Sequence, residues 1–216
     1  MRILITGGAG FIGSHIAEYY QGRAEIRILD NLRSGNMRNI RDLDVEFIRG
    51  DVRDRVKLAR AMEGVDYVFH LAAMIGVPES MEHPLDCIDI NVNGTLMVLE
   101  EAAKAGVKKL IYASSAAVYG NHSGAILRED MKADPHSVYA VTKLDGEHYC
   151  KIFSESGKLK TVSLRYFNVF GPRQDPESAY AAAPALFCNR AIHGRKISVF
   201  GDGEQSRDFV FVDDVV

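Results

Sequence analysis

Tyr139 and Lys143 stand four residues apart in Ser137-Val-Tyr139-Ala-Val-Thr-Lys143, a segment that follows the turn Asp134-Pro135 and has helical character. That spacing puts both side chains on one helical face. An ammonium beside a phenol stabilises the phenolate and lowers its pKa from about 10 toward neutrality, so the pair could take a proton from a hydroxyl near neutral pH. The same spacing also occurs on ordinary solvated helix faces. Its chemical meaning depends on what surrounds it.

A second pattern lies at the start of the chain. Arg2 to Thr6 runs into Gly7-Gly-Ala-Gly10-Phe11-Ile12-Gly13, followed by a helical segment from Ser14 to Gln21. Glycines at this spacing let the chain turn tightly, let backbone approach a pyrophosphate and let the helix pack close to the strand, with the helix N-terminus facing the phosphates. A tight turn alone could also require them. The next apolar run, however, ends in Asp30, near the distance at which an acid should meet an adenosine ribose, which points to a dinucleotide. A carboxylate there accepts from both ribose hydroxyls and repels a 2'-phosphate. NAD is therefore expected over NADP, with Arg33 arguing the other way. A cationic nicotinamide would lower the Tyr139 pKa further. Asp51, in Gly50-Asp-Val-Arg-Asp54, has two roles open to it, contact with the adenine edge or N-capping of a helix from Arg53 to Met62.

These residues need a frame. Short apolar runs recur at Arg2 to Thr6, Ile26 to Leu29, Val45 to Ile48, Tyr67 to Leu71, Leu110 to Ala113 and Val162 to Tyr166. They are continuous rather than alternating, as in strands covered on both faces, and the intervals are long enough for crossover helices. The expected fold is α/β, a doubly wound parallel sheet of Rossmann type. After Gly171-Pro-Arg-Gln-Asp-Pro176 the strand rhythm weakens, so 1–170 is expected as the NAD-binding domain, 171–206 as part of a smaller substrate-binding domain, and 207–216 as a strand returning toward the first.

Composition removes other classes. The 216 residues are 47% hydrophobic and 25% charged, in the globular range, and the formal net charge of -3 offers no global basic field for nucleic acid or an anionic membrane. The three cysteines, Cys87, Cys150 and Cys188, are scattered and form no CxxC pair, which argues against a disulfide framework or a zinc site and fits a reducing cytoplasm. No metal is expected. The N-terminal run Ile3-Leu-Ile5 meets glycine too soon for a signal segment or a membrane span.

The glycine motif, Asp51, His70-Leu71-Ala72-Ala73, Asn91-Val-Asn-Gly-Thr95, Ser114-Ser115-Ala-Ala-Val-Tyr-Gly120, Tyr139 with Lys143, and Arg165-Tyr166-Phe-Asn168 occur in that order. Over essentially its whole length the chain therefore resembles the extended short-chain dehydrogenase/reductases, the NAD-dependent epimerase/dehydratase family. It most resembles the branch of UDP-galactose and UDP-N-acetylglucosamine 4-epimerases, whose pattern also contains segments like Gly171-Pro-Arg-Gln-Asp-Pro176 and Arg207-Asp-Phe-Val-Phe-Val-Asp213. The resemblance implies an NAD site formed by Gly7, Gly10, Phe11, Ile12, Gly13, Asp30, Asn31, Ser34, Gly35, Asp51, Val52, Leu71, Ala72, Ala73, Asn91, Tyr139, Lys143 and Tyr166. It implies Ser115, Tyr139 and Lys143 as the catalytic group. Ser115 would bond the sugar 4-hydroxyl, Tyr139 would take its proton, and Lys143 would bind the nicotinamide ribose while tuning the tyrosine. Ser115, Asn168, Phe200 and Arg207 would contact a UDP-sugar. Taken alone, Asn168 could be a strand-end turn residue and Arg207 a surface ion-pair partner of Asp208 or Asp213.

Two departures from the family pattern carry information. Sugar-nucleotide dehydratases and decarboxylases place acids where this chain has Ala116-Ala117, so a 4-epimerase is expected ahead of those enzymes, with a non-catalytic NAD-binding module as a further alternative. The chain stops at Asp213-Asp-Val-Val216, where members of the family continue, so much of the sugar pocket is expected to be absent. A homodimer is also implied, with Pro84 to Ala105 and Ser137 to Ser156 pairing in a four-helix bundle. Val92, Leu96, Leu99 and Ala103 form an apolar stripe for that interface or, alternatively, for burial against the sheet.

Overall fold

The computed structural model describes residues 1–122, 126–176, 183–199 and 201–216. The six apolar runs become β1 (Arg2–Thr6), β2 (Glu25–Asp30), β3 (Glu46–Arg49), β4 (Tyr67–His70), β5 (Lys109–Ser115) and β6 (Thr161–Tyr166). All pair in parallel, in the order β3-β2-β1-β4-β5-β6. Strand order reverses between β1 and β4, and the crevice at the carboxyl ends beside that point is where doubly wound sheets of Rossmann type bind ligands.

The continuous apolar character of the strands follows from the helices on both sides. Leu4, Leu29, Val68, Leu110 and Tyr112 face one layer, where they pack with Leu58, Ala61 and Met62 of α2 (Arg55–Met62), with Val98, Leu99 and Ala102 further along, and with Cys150. Ile3, Ile5, Ile26 and Ile28 face the other, against Ile16 and Ala17 of α1 (Phe11–Tyr20). Helix α1 begins at Phe11, three residues before the expected start, because Gly10 is extended and already serves as its N-cap.

Between β4 and β5 the chain forms α3 (Val77–Glu82), α4 (Pro84–Ile88), a π-turn at Asp89–Asn93, and α5 (Gly94–Lys104). The expected stripe on this segment divides. Val92 and Leu99 are buried, and Leu99 belongs to the core beneath the sheet, while Leu96 and Ala103 are half-buried. Burial against the sheet therefore accounts for much of that stripe. Exposed apolar residues of the same layer include Leu85 and Ile88 on α4, and Val141 and Ile152 on α6 (Val138–Glu155).

Beyond β6, β7 (Asn168–Phe170) pairs in parallel with β8 (Phe209–Phe211) as a separate two-stranded ladder, with α7 (Ala183–Ile192) between them in sequence and α8 (Val212–Val215) packed against both. Among the described residues no helix is long and apolar enough to cross a membrane.

Candidate active site

An open cleft runs along the carboxyl ends of the strands. Its first wall is the glycine loop. Gly7 has φ +73°, and a Cβ there would lie 2.8 Å from the Ala72 amide nitrogen, so only glycine permits the turn so close to the chain leaving β4. A Cβ on Gly13 would lie 2.5 Å from the Gly7 carbonyl oxygen, which is why α1 can seat directly against the loop. Gly10 has no side chain to cap the helix, and with Phe11, Ile12 and Gly13 it lines the cleft, so the open end of α1 faces that space. A cradle of this kind suits a pyrophosphate.

Asp30 ends β2 on the adjoining wall. Its carboxylate accepts from the Ala9 amide at 2.9 Å and from the Leu32 amide at 2.7 Å, while burial, the larger influence, pushes its pKa up. Asn31 and Ser34 line the cleft with it. Gly35 stands behind, where a Cβ would come within 2.9 Å of both Asp30 carboxylate oxygens. Arg33, the residue that argued for a phosphorylated ribose, holds Glu79 at 2.6 Å.

Of the two roles open to Asp51, helix capping is excluded, because α2 starts at Arg55 and Asp54 caps it by accepting from the Val56 and Lys57 amides. Asp51 lines the cleft beside Val52. Its carboxylate takes the Arg53 guanidinium at 2.8 and 2.9 Å and the Asn31 amide at 2.9 Å, and the Arg53 hydrogen bonds hold its pKa well below the usual range.

The third wall is Leu71, Ala72 and Ala73. Beneath it the His70 ring lies between Thr6 Oγ1 at 2.7 Å and Thr95 Oγ1 at 3.0 Å, and burial, assisted by the charge of Lys143, drives its pKa down to about 3. A neutral imidazole with one donor and one acceptor suits a position between two hydroxyls. Asn91 is not on the cleft wall. Its amide accepts from the Met74 amide at 2.8 Å and donates to the Met74 carbonyl at 3.0 Å and to Thr142 Oγ1 at 3.0 Å, so it ties the loop after β4 to α6 from behind. The π-turn at Asp89–Asn93 contains this residue.

Helix α6 supplies the far end of the cleft. Ser137 caps it through the Ala140 amide, and the Ser80 hydroxyl accepts from the Tyr139 amide at 3.1 Å. Tyr139 and Lys143 share one face, as their spacing predicts, and both line the cleft. Lys143 is 4% exposed, donates to the Ala113 carbonyl at 2.8 Å, and lies 5.8 Å from the centre of the Tyr139 ring. Burial pushes its pKa down to about 8. Burial raises the pKa of the Tyr139 hydroxyl overall, against a smaller lowering by the neighbouring Ser115 hydroxyl. The expected lowering by Lys143 therefore does not arise from the chain's own residues. Ser115 ends β5, and its Oγ accepts from the Ala117 amide at 3.2 Å, capping a 3-10 turn over Ala116–Tyr119. Gly120 closes that turn at φ +74°, where a Cβ would collide with the Asp134 carbonyl at 1.8 Å; the Asp134 amide donates to the Val118 carbonyl at 3.0 Å.

Other expected contacts are not gathered on the wall of this cleft. Tyr166 ends β6 and lines a separate apolar cavity with Tyr67, Phe69 and Leu164. Asn168 is exposed and donates to the Asp208 carbonyl at 3.0 Å, and exposed Arg207 donates to the Ser206 carbonyl at 2.7 Å, so both sit by the β7–β8 ladder. Phe200 lies outside the described residues. Ser114 and Glu147 add a contact that no expectation included: Ser114 lines the cleft and donates to Glu147, which also takes Arg165 at 2.9 and 2.8 Å. Extending the Tyr139 and Lys143 spacing by four more residues reaches Glu147.

The model of the NAD dependent epimerase/dehydratase family matches residues 3–216. The chain belongs to this family. Among solved structures it is similar to the UDP-N-acetylglucosamine 4-epimerase of Methanobrevibacter ruminantium in complex with UDP-N-acetylmuramic acid, at 41% identity and a TM-score of 0.95, covering 99% of this chain and 70% of that one. It is similar also to the Thermus thermophilus UDP-glucose 4-epimerase in complex with NAD, at 41% identity and a TM-score of 0.92, covering 100% of this chain and 72% of that one. A UDP-N-acetyl-alpha-D-glucosaminuronate decarboxylase of Bacillus cytotoxicus is 36% identical over 100% of the chain and 68% of its own length. The chain is thus a family member with NAD as its cofactor and the nucleotide-sugar chemistry of epimerases and dehydratases as its function. The shaped glycine cradle, the Asp30 wall and the buried Lys143 fit that cofactor.

Proposed function

We propose that this family member epimerises a UDP-hexose or UDP-N-acetylhexosamine at carbon 4 through a transient 4-keto sugar. The observation that carries the reading is the pair Ala116-Ala117 directly after Ser115. Methyl side chains there can neither donate nor accept the additional proton that elimination of water requires, and the Ala117 backbone is occupied as donor to Ser115.

Each residue has a defined task in this reading. Ser115 bonds the sugar 4-hydroxyl, and the neighbouring Tyr139 removes its proton as hydride leaves carbon 4. Lys143 binds the nicotinamide ribose and supplies positive charge beside the phenol. NAD held by these residues would supply a reversible hydride acceptor for carbon 4, so that no net oxidation results. Gly7 to Gly13 hold the pyrophosphate, and Asp30 holds the adenosine ribose. Asn168, Phe200 and Arg207 are assigned to the nucleotide diphosphate, where a guanidinium fork matches phosphate oxygens. Residues 1–170 make the NAD-binding unit and 171–206 part of the sugar-binding one.

UDP-glucose deuterated at carbon 4 tests the reaction. The expected product is the 4-epimer, with the label kept at carbon 4 and no accumulation of reduced cofactor. Formation of only a 4-keto-6-deoxy sugar, or release of carbon dioxide from a UDP-uronic acid without epimerisation, would transfer the chain to the dehydratase or decarboxylase reading. The latter reading draws on the similarity to the decarboxylase.

Asp30→Ala is expected to weaken NAD by about tenfold to a hundredfold, the worth of a charge-assisted hydrogen bond. NADP should weaken less, since the same change removes repulsion. Calorimetry showing equal losses would remove Asp30 from the ribose.

The reading includes a homodimer through α4, α5 and α6, now placed on the exposed Leu85, Ile88, Val141 and Ile152 rather than on buried Val92 and Leu99. Light scattering should give a dimer that Leu85→Glu with Ile152→Glu dissociates. A monomeric parent would overturn it.

A further inference from the structure

Three side chains spaced by four along one face of α6 each meet a different residue at the end of β5. Tyr139 stands beside Ser115, Lys143 donates to the Ala113 carbonyl at 2.8 Å, and Glu147 accepts from the Ser114 hydroxyl. The first two are the groups that the proposed reaction uses, and a proton must move at one of them. Glu147 has a different character. It accepts the Ser114 hydroxyl and both ends of the Arg165 guanidinium fork, at 2.9 and 2.8 Å, and its side chain is 14% exposed.

Arg165 stands in register with Ser114 across the β5–β6 ladder, so one carboxylate ties α6 to two strands. The face of the same guanidinium lies 4.6 Å from the centre of the Tyr119 ring, and Tyr119 ends the turn that Ser115 caps. A planar, two-point pair fixes orientation as well as distance. The pair therefore touches every segment whose position decides where the Tyr139 oxygen stands relative to Ser115.

We infer that Glu147 is a positioning residue, which with Arg165 sets the register of α6 over β5 so that the Tyr139 and Ser115 oxygens meet the same sugar hydroxyl. The inference rests on the proposed reaction for its catalytic meaning, while the register itself can be measured without it. Misplacement of a reacting group by about 1 Å costs roughly a hundredfold in rate.

The test compares the full chain with Glu147→Gln, Arg165→Lys and the double change Glu147→Leu with Arg165→Met. The double change removes the pair without leaving one charge alone, and so keeps a folded protein available should either single variant fail to fold. Two readouts are taken: kcat against KM and NAD content with the UDP-hexose, and the titration of the Tyr139 phenol by NMR with carbon-13 at the tyrosine ring oxygen-bearing carbon, its signal identified by loss in Tyr139→Phe. Positioning predicts a fall of about tenfold to a hundredfold in kcat, with KM and NAD content kept, and a shifted Tyr139 titration. An unaltered kcat with an unaltered titration overturns it. So does a loss of kcat that merely tracks lost NAD and melting temperature while the titration stays in place. If the parent does not epimerise but the titration still moves, the register role stands and the reaction assignment falls.

Discussion

Tyr139→Phe should reduce turnover by about a hundredfold to ten-thousandfold, the usual contribution of a positioned general base, and leave NAD bound. The substitution removes one oxygen and keeps the ring that lines the cleft. The glycine loop and Asp30 stand on other elements, and neither depends on that oxygen. Because burial raises the phenol's pKa in the protein alone, the charges that favour phenolate must come largely from what binds beside it. The rate of the parent enzyme should thus climb with pH on its acid side, and the residual rate of the variant should not follow that limb. Full 4-epimerase activity in Tyr139→Phe, with carbon-4 label still retained, would assign the proton transfer elsewhere.

Lys143→Met should cost about a hundredfold or more in turnover while leaving the melting temperature near neutral pH unchanged or raised. The lysine is 4% exposed, and burial pushes its pKa from 10.5 to about 8, which at 1.36 kcal/mol per unit makes the folded chain's ammonium unfavourable by about 3 kcal/mol. The sign follows from the depressed value: the lysine imposes no penalty above about 10.5, and stability is lost as pH falls from there to about 8. Below that the full penalty applies. Methionine fills the same space without it, and only the Ala113 carbonyl loses a donor, at about 1 to 3 kcal/mol. Thermal melts at pH 7 and pH 10 check this, since the parent should gain on the variant as pH rises. A variant that unfolds at neutral pH would show that the ammonium is a structural necessity.

Much of this was legible in the sequence because the signals were local or periodic. Parallel strands covered on both faces must be apolar throughout, so six short runs disclosed the sheet to within a residue or two. Glycines that a Cβ would force apart disclosed the cradle. What escaped depended on geometry that spacing does not contain. Asp51 and Asp54 are both plausible caps by residue type, and only the backbone turn between them decides for Asp54. Asn91 lies in a π-turn, which moves a side chain off the regular helical face, and its amide is spent on Met74 and Thr142. Val92 and Leu99 fit an interface and a core equally well by pattern, and the core takes them. The sign of the Tyr139 shift reversed because burial, which leaves no mark in a motif, outweighs the neighbouring Ser115 hydroxyl.

The chain passes itself at Gly120 and Asp134, where the Asp134 amide returns to the Val118 carbonyl and no side chain fits between. Among the described residues, the excursion between them meets the scaffold again at Glu129, whose carbonyl accepts from Arg165 at 3.5 Å. Added length there costs little in closure entropy, since each doubling of a closed loop costs only about 0.6 kcal/mol. An insertion made there, such as a fluorophore-bearing peptide or a tether to a surface, would ride beside the carboxyl end of β5, and Arg165 is the residue through which its load would reach the sheet.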